Sequence, residues 1–283
     1  MRLLIVGPDT QENRMIVQEA KDRGHEVYRI SITRLSFIMA NGDFKVFFNK
    51  KELKGIDACL IRGVSPHFAK AITLAKTLHR QGTRVVDREL YQKVYALNKM
   101  FTYSGLSYHG LPCLPSYYFS NNEEFNNYKK KLKFPVLVKD INGMHGRNIF
   151  FKYSLKELED FFNWRKINKY FIQKFVDSEY YYRVLVVGKK VLGAMKRNTL
   201  KSIRRKRIPL AKRSHYSKLT RELKRLGKKA AKATNSDIAG VDIIYDGDKP
   251  YILEVNRSPQ FKRFTQIMQV KVAEEIVKYI EKY

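Results

Sequence analysis

Two short apolar segments near the C-terminal end of the chain carry the residues best suited to chemistry. The first contains Asp242, and the second contains Glu254 and Asn256. Side chains on a strand alternate between the two faces of a sheet, so Glu254 and Asn256 point to the same side. An Asp-Gly-Asp turn at 246–248 predicts that the segments pair as an antiparallel hairpin with Asp242 opposite Glu254.

Two carboxylates placed opposite each other destabilise a strand pair, so this hairpin favours a cation between them. Two carboxylates and an amide carbonyl form an all-oxygen ligand set, which suits Mg²⁺ or Mn²⁺. Because Mg²⁺ in proteins commonly bridges to phosphates, the pattern indicates a nucleoside triphosphate as substrate. The alternative is an ordinary exposed hairpin face. We expect the other, apolar face to consist of Val241, Ile243, Leu253 and Val255.

A second candidate site lies where an apolar strand ends at Lys139. The loop that follows contains Gly143 and Gly146, and glycines let backbone N–H groups approach phosphate oxygens closely. A lysine at the strand end can reach the same phosphates as a point charge. The loop is not a Walker A sequence, and a surface hairpin is the alternative interpretation.

The elements that must position these residues begin with an alternation of strands and helices. Short β-branched strands separated by helical segments predict an open parallel sheet over about the first 90 residues. No GxGxxG sequence accompanies them, so we expect no dinucleotide site there. The strands are predicted at 2–7, 25–31, 58–61 and 84–87, with a helix ending near residue 23 and another at 66–80.

The remainder of the chain mixes the two element types differently, so the predicted fold class is α/β, becoming α+β in the C-terminal part. Ser154 and Glu157 have capping-box spacing, which predicts a helix start. Helices are predicted at 93–106, 123–132, 154–165 and about 264–281. Strands are predicted at 116–119, 134–139, 149–151, 170–176, 181–187, 190–197, 239–245 and 250–256.

Composition excludes several protein classes. The chain has 283 residues and a formal net charge of +29, which favours a polyanionic partner. Two cysteines cannot build a disulfide scaffold, and no apolar run is long enough to cross a membrane. With no recognisable signal peptide, we expect a cytoplasmic protein that does not bind membranes. The spacing of Ser, Cys and His supports neither a hydrolase nor a zinc site.

The basic residues concentrate in one stretch. Residues 196–232 hold sixteen Lys or Arg and a single acid, Glu222. The C-terminal part of the stretch predicts an amphipathic helix with Leu223 and Leu226 on its apolar face. An acidic peptide, an acidic carrier protein or RNA would each satisfy such a surface. The alternative is a solvated helix face in an organism with a basic proteome.

Eight segments, taken together, resemble the ATP-grasp ligases, and most closely the RimK-type branch. That branch includes α-L-glutamate ligases that extend ribosomal-protein tails and lysine-biosynthesis ligases that act on an acidic carrier protein. The segments occur in the family's order over about residues 90–283: ALNKM (96–100), VLVK (136–139), NGMHG (142–146), QKFV (173–176), RVLVVG (183–188), AMKR (194–197), AGVD (239–242) and LEVNRSP (253–259).

The resemblance implies an ATP-grasp fold in three parts. An N-terminal pre-ATP-grasp domain would span 1–92, a lid subdomain 93–176, and a C-terminal subdomain with the metal site 177–283. ATP phosphates would contact Lys99 and Lys139, beside a lid loop containing Gly143, His145 and Gly146. Backbone groups of Gln173, Lys174, Phe175 and Val176 would bind adenine, and Mg²⁺ or Mn²⁺ would be held by Asp242, Glu254 and Asn256.

The residues expected near the acceptor site match the family's pattern less well. Arg183 and Lys196 are expected on paired strands facing the site, and Arg205 or Arg207 would replace a family arginine. Where the family has an acid after Gln173, this chain has Lys174, and the position of the ribose-binding acid falls near Tyr181. Asn148 stands where a third loop glycine is common, and residues 202–209 lack the family's Arg-Ser-Asn-like stretch and glycines.

The family reaction activates a carboxylate as an acylphosphate with ATP, and an amine then attacks it. We therefore predict an ADP-forming, Mg²⁺-dependent carboxylate–amine ligase. It would add an amino acid such as glutamate to an acidic peptide, a carrier protein or a small acceptor. The alternative is an RNA- or ribosome-binding protein on an ATP-grasp scaffold with little or no ligase activity. The oligomeric state, a homo-oligomer included, stays open.

Overall fold

The N-terminal part of the protein is built on a parallel sheet. The computed structural model describes residues 1–40, 43–92, 99–141, 148–199 and 213–282. In chain order the first elements are β1 (Arg2–Val6), α1 (Gln11–Asp22), β2 (Glu26–Ile30), β3 (Leu35–Ala40), β4 (Asp43–Phe48), β5 (Lys51–Glu52), β6 (Ala58–Ile61), α2 (Phe68–Arg80) and β7 (Arg84–Val86). Strands β2, β1, β6 and β7 form the predicted sheet in that order, all parallel.

The apolar runs of β1 and β6 are buried because helices cover both faces of the sheet. Ile16 of α1 packs with Leu3 on one side, and Leu74 of α2 packs with Leu4 on the other. Every side chain of β6 is fully buried. This explains why unbroken apolar segments, rather than alternating ones, marked these strands.

A small antiparallel sheet formed by β3, β4 and β5 lies between β2 and β6 in the chain and was not predicted. Its signal is a short alternation in which Phe44, Val46 and Phe48 pack on the core beside α2. Exposed Ile38 and Met39 obscure the same alternation in β3. The predicted strand–helix–strand pattern therefore continues across an insertion.

The central part of the chain forms a mixed layer of helices and one antiparallel sheet. Its elements are α3 (Lys99–Tyr108), β8 (Ser116–Tyr117), α4 (Asn122–Tyr128), β9 (Val136–Asp140), β10 (Ile149–Lys152), α5 (Leu155–Phe162) and β11 (Tyr170–Lys174). The strand order is β10, β9, β11, β8. Helix α5 begins as predicted, because the Ser154 hydroxyl accepts a hydrogen bond from the N–H of Glu157 at 3.2 Å.

The C-terminal part is a five-stranded antiparallel sheet with helices on both faces. Its elements are β12 (Tyr180–Val187), β13 (Lys190–Asn198), β14 (Ser214–Ser217), α6 (Arg221–Ala233), β15 (Ile238–Asp246), β16 (Lys249–Asn256), α7 (Lys262–Met268) and α8 (Val272–Lys282). The strand order is β14, β13, β12, β15, β16. The single final helix predicted at 264–281 is two helices, because Gln269 adopts a left-handed conformation with φ 54°.

A buried ionic cluster joins the N-terminal sheet to the end of β16. The guanidinium of Arg257 lies 3.1 Å from a carboxylate oxygen of Asp87 and 3.1 Å from one of Glu89. It also donates to the carbonyl of Ile61 at 3.1 Å. All three charged side chains are nearly inaccessible to solvent. Since Arg257 follows Asn256 directly, the N-terminal part helps to position the end of the hairpin strand.

No helix in the described part of the chain combines the length and the apolar character needed to cross a membrane.

Candidate active site

The hairpin of β15 and β16 brings Asp242 and Glu254 together as the sequence predicts. Asp246 pairs with Lys249 across a tight turn in which Gly247 has a φ of 59°, a conformation that suits glycine. From this turn the pairing runs in register to Ile243 and Ile252. Beyond that point the register shifts by one, so that Asp242 lies opposite Glu254.

The shift is a β-bulge at Leu253, and it corrects one sequence prediction. Leu253 does not share the apolar face with Val241 and Ile243. It packs in a separate cluster with Val176 and Ile244. Without the bulge, the register of the turn would place Leu253, rather than Glu254, opposite Asp242.

Asp242 is held by a cation from the protein itself. Arg183 lies directly opposite it on β12, and the Arg183 Nε and Nη2 atoms donate to the two Asp242 carboxylate oxygens at 2.7 Å each. Burial alone would lower the pKa of Arg183, but the charge and hydrogen bonds of Asp242 raise it above its ordinary value. Part of the cationic charge expected between the two carboxylates is therefore supplied by Arg183.

Glu254 and Asn256 remain available to a ligand. Glu254 is exposed and forms no hydrogen bond or ion pair with any described residue. The side chain of Asn256 forms no hydrogen bond with any described residue, so its amide oxygen is open to a cation. Each oxygen of Asp242 keeps a lone pair beyond the one that faces Arg183. This donor set fits a hard divalent cation such as Mg²⁺.

No group of three or more His, Cys, Asp and Glu side chains suited to a metal occurs among the described residues. The oxygen set of the hairpin instead contains two carboxylates, from Asp242 and Glu254. The amide oxygen of Asn256 would be the third ligand. Mg²⁺ commonly completes such sparse protein ligation with water and substrate phosphates.

The negative charge of Glu254 acts on both Lys99 and Lys139. Burial lowers the pKa of Lys139 to about 8, while Glu254 opposes this shift and Lys99 adds to it. Burial also lowers the pKa of Lys99, again against the charge of Glu254. The Lys99 Nζ atom donates to the carbonyl of Asp140 at 2.9 Å. The predicted phosphate-binding lysines and the predicted metal ligand are thus neighbours.

A chain of hydrogen bonds connects Lys139 to the bulge in the hairpin. The Lys139 Nζ atom donates to Gln173 Oε1 at 2.6 Å, and Gln173 Nε2 donates to the Tyr103 hydroxyl at 2.6 Å. The Tyr103 hydroxyl donates to the carbonyl of Leu253 at 2.5 Å. Sequence reasoning missed Tyr103, because a tyrosine in a helix is usually core, and assigned only backbone groups of Gln173. These hydrogen bonds therefore connect the sheet that contains β9 and β11 to the sheet that contains β16.

Two backbone N–H groups of the segment 173–176 already have partners within the protein. The N–H groups of Lys174 and Phe175 donate to the carbonyls of Pro115 and Pro135 at 2.8 and 3.1 Å. Within the described residues, the N–H of Val176 donates to no backbone carbonyl. The side chain of Lys174 forms an ion pair with Asp246 at the hairpin turn. Val176 is therefore the open donor of this segment.

Lys196 lies on the other face of the sheet from the carboxylates, contrary to the prediction. It pairs with Tyr182, the residue before Arg183 on β12. Its Nζ atom lies 4.3 Å from the centre of the Tyr180 ring. Arg197 instead shares the site face, with its guanidinium carbon 5.7 Å from the centre of the Tyr181 ring. The period of two along a strand separates these neighbours.

Tyr181 lies where the ribose-binding acid of the family was expected. Burial raises its pKa to about 12, and the charge of Asp242 adds to burial whereas Arg183 and Arg197 oppose it. Its side chain therefore belongs to the site face. The predicted residues Gly143, His145, Gly146, Arg205 and Arg207 lie outside the described residues.

Comparison with known families covers almost the whole chain. The family model for the RimK-like ATP-grasp domain matches residues 110–280, and the model for the RimK PreATP-grasp domain matches residues 1–90. The chain is 25% identical to a probable alpha-L-glutamate ligase of Trichodesmium erythraeum, over 99% of this chain and 95% of the relative. It is 25% identical to the alpha-aminoadipate–LysW ligase LysX of Saccharolobus solfataricus, over 93% and 94%.

A third relative is N-acetylaspartylglutamate synthase A of Homo sapiens, at 24% identity over 96% of this chain and 72% of that protein. Among solved structures, the ATP-grasp ligase PsnB with a minimal precursor superposes with a TM-score of 0.74 at 17% identity, covering 99% and 98% of the two chains. A RimK domain protein of Sphaerobacter thermophilus gives 0.74 at 18%, covering 99% of each. The fold is thus the ATP-grasp fold, and the chain belongs to the RimK-like ATP-grasp family of ligases.

Proposed function

We propose that this ligase uses ATP and Mg²⁺ to join an amino acid, glutamate first among the candidates, to an acidic peptide, protein or small acceptor. The observation that carries the proposal is the position of Glu254. It is an exposed carboxylate that no described residue binds, beside Asp242 and facing Lys99 and Lys139. The relatives of the protein include one named as a probable alpha-L-glutamate ligase and one named as a ligase of alpha-aminoadipate and LysW.

The charges of the cluster suit a nucleoside triphosphate. Three cations, Arg183, Lys99 and Lys139, face the two carboxylates Asp242 and Glu254. These cations attract phosphate oxygens. When bound by the two carboxylates and Asn256, Mg²⁺ would neutralise charge on the transferring phosphoryl group.

The reaction consists of two displacements. A carboxylate oxygen of the acid substrate attacks the γ-phosphorus of ATP, the bond to the β–γ bridging oxygen breaks, and ADP leaves. The amine of the second substrate then attacks the carbonyl carbon of the acylphosphate. Phosphate leaves with the acyl C–O bond electrons, and the nitrogen loses a proton.

The described residues have separate tasks in this scheme. Lys99 and Lys139 would hold phosphate oxygens, and the N–H of Val176 would be available as a hydrogen-bond donor to adenine. Arg183 keeps the carboxylate of Asp242 in one orientation through two hydrogen bonds. Because both of its oxygens are held, the carboxylate of Asp242 cannot rotate, and it would present the same lone pairs to the metal ion.

The test measures ADP formation by purified protein with ATP, Mg²⁺, each amino acid and a cell lysate as the source of acceptor. We expect ADP only when acceptor is present, and a mass increase of one or more amino-acid residues in one lysate component. The variant Glu254→Ala should lose both signals, whereas Glu123→Ala, which removes an exposed carboxylate from the start of α4, should keep them.

Unchanged turnover in Glu254→Ala contradicts the proposal. So does ADP formation without any modified acceptor. Tight binding of RNA together with no ADP formation would favour the RNA-binding alternative instead.

A further inference from the structure

Helix α6 has a buried face that fixes it firmly on the C-terminal sheet. Leu223, Leu226 and Ala230 are almost completely buried against the strands. At Gly227 a Cβ atom would lie 2.5 Å from Val184 Cγ1, so only a glycine allows this close approach. The hydroxyl of Thr220 caps the helix by accepting from the N–H of Leu223 at 3.2 Å. The orientation of the outer face is therefore fixed as well.

That outer face is a stripe of unpaired cations, which we call the basic face of α6. Its members are Arg221, Lys224, Arg225, Lys228, Lys229 and Lys232, all exposed. None of them forms an ion pair with a described residue. The one acid of the helix, Glu222, accepts a hydrogen bond from the Tyr245 hydroxyl at 2.8 Å.

Within the folded protein this arrangement is unfavourable. Like charges four residues apart on a helix repel each other, and the basic face contains several such pairs, including Lys224 with Lys228 and Lys228 with Lys232. Nothing in the described structure compensates them. An anionic partner would remove the repulsion.

The general basicity of the chain does not account for the basic face. Helix α2 has the same length as α6 but only three Lys or Arg residues. Helices α1 and α8 each contain more acids than bases. Among these four helices, α6 therefore carries the most cations, with six Lys or Arg residues.

The basic face lies away from the reaction site. Helix α6 packs on the sheet face that carries Val184 and Val241, while Arg183, Asp242 and Glu254 alternate to the other face. The sheet and the helix body, the latter about 10 Å thick, separate the cations from the phosphate-binding cluster. Their role is therefore not to bind ATP.

We propose that the basic face of α6 docks an acidic segment of the polypeptide that the enzyme modifies, while the reacting group of that polypeptide reaches the site on the other side of the sheet. The identity of this partner as the acceptor rests on the proposed function. Such docking raises the effective concentration of the reacting group without any new contact at the site. The part of the acceptor between the two sites must be long enough to pass around the sheet, at about 3.3–3.6 Å for each extended residue.

An acidic polypeptide fits the surface better than single-stranded RNA. Sites for single-stranded RNA combine cations with aromatic side chains on which bases stack. The sequence of α6, from Arg221 to Ala233, contains no aromatic residue. Acidic side chains of a polypeptide need only complementary charge.

The test is fluorescence anisotropy of a labelled oligoglutamate of about 20 residues with the full chain, in low salt and without ATP. The triple variant Lys224→Gln/Lys228→Gln/Lys232→Gln removes three cations from the basic face. A matched control, Lys76→Gln/Lys130→Gln/Lys133→Gln, lowers the net charge equally at exposed positions elsewhere. We expect Kd to rise about tenfold or more in the first variant and less than about twofold in the control.

Three results would overturn the proposal: no binding by the unmodified protein, equal loss in both variants, or tighter binding of a single-stranded RNA of equal length that the first variant abolishes. Circular dichroism and thermal unfolding exclude misfolding as a cause, because relieving repulsion on an exposed face should leave stability unchanged or higher. Since the binding assay contains no ATP, a failed ligase assay and a failed docking assay are separate results.

Discussion

Arg183 and Asp242 are joined by two parallel hydrogen bonds of 2.7 Å, and Glu254, opposite Asp242, has no protein partner among the described residues. The two carboxylates of the hairpin are therefore unequal. One is tied to a buried cation, and the other is open to a ligand. This inequality decides how variants of each carboxylate should behave.

We predict that Asp242→Asn unfolds more easily, whereas Glu254→Gln does not. The first change leaves Arg183, whose side chain is only 13% exposed, without its countercharge, and breaking a buried ion pair costs about 3–5 kcal/mol. The second removes an exposed charge, which changes the free energy of unfolding by less than about 0.5 kcal/mol. Urea titration measures both, and Glu254→Gln should still lose ADP formation. Equal destabilisation of the two variants would contradict this account.

We predict that ATP binding weakens as the pH rises through about 8, because burial lowers the pKa of Lys139 to about 8 and only the protonated form attracts phosphate. Below that pH the attraction is complete, and above it the attraction is lost. Calorimetric titration with ATP over this range measures the effect. Lys139→Arg should flatten the profile, because arginine stays charged. Lys99 also has a lowered pKa, so a residual slope should remain. An unchanged profile in Lys139→Arg would argue against Lys139 as the titrating group.

We predict that Tyr103→Phe destabilises the protein by about 1–3 kcal/mol, because the change leaves the carbonyl of Leu253 and one donor of Gln173 without a partner. The matched control is Tyr128→Phe, at a tyrosine that is 45% exposed, which should be nearly neutral. Because the lost bonds link the sheet of β8, β9, β10 and β11 to the hairpin bulge, Tyr103→Phe should also raise the KM for ATP. A stable Tyr103→Phe enzyme with normal KM would show that the hydrogen-bond chain has no role in the site.

We predict that the free energy of unfolding falls as the pH rises above the ordinary range of carboxyl pKa values. Burial raises the pKa of Asp87 and of Glu89, while the charge of Arg257 opposes both shifts. The folded state therefore binds more protons than the unfolded chain over this range, and stability declines with increasing pH. Glu89→Gln should flatten the decline, as measured by urea unfolding at several pH values. A decline of the same size in Glu89→Gln would assign it to other groups.

Much of the fold follows from patterns in the sequence. Buried apolar runs marked β1 and β6, and the Asp-Gly-Asp turn marked the hairpin of β15 and β16. Local patterns suffice there because the same residues form the element and its turn. The sheet of β3, β4 and β5 escaped prediction, because its exposed apolar residues Ile38 and Met39 break the alternation that marks a half-buried strand.

The faces of the site residues were harder to predict. The sequence predicts that Arg183 and Lys196 both face the site, yet only Arg183 shares the carboxylate face, because pairing between β12 and β13 sets Lys196 opposite Tyr182. That register depends on contacts across strands, which a single segment does not contain. The side-chain role of Gln173 depends in the same way on Tyr103 from a separate helix.

The sequence by itself determined the family, the candidate oxygen ligands and the order of most elements, since these depend on residue types and their spacing along the chain. The tertiary structure decided how the ligand set is assembled. Counted from the turn alone, Asp242 would face Leu253, and the bulge that brings Glu254 opposite it is stabilised by Tyr103 and by the packing of Leu253 with Val176. A one-residue register shift exchanges the two faces of a strand, so contacts from distant parts of the chain determine which side chains meet.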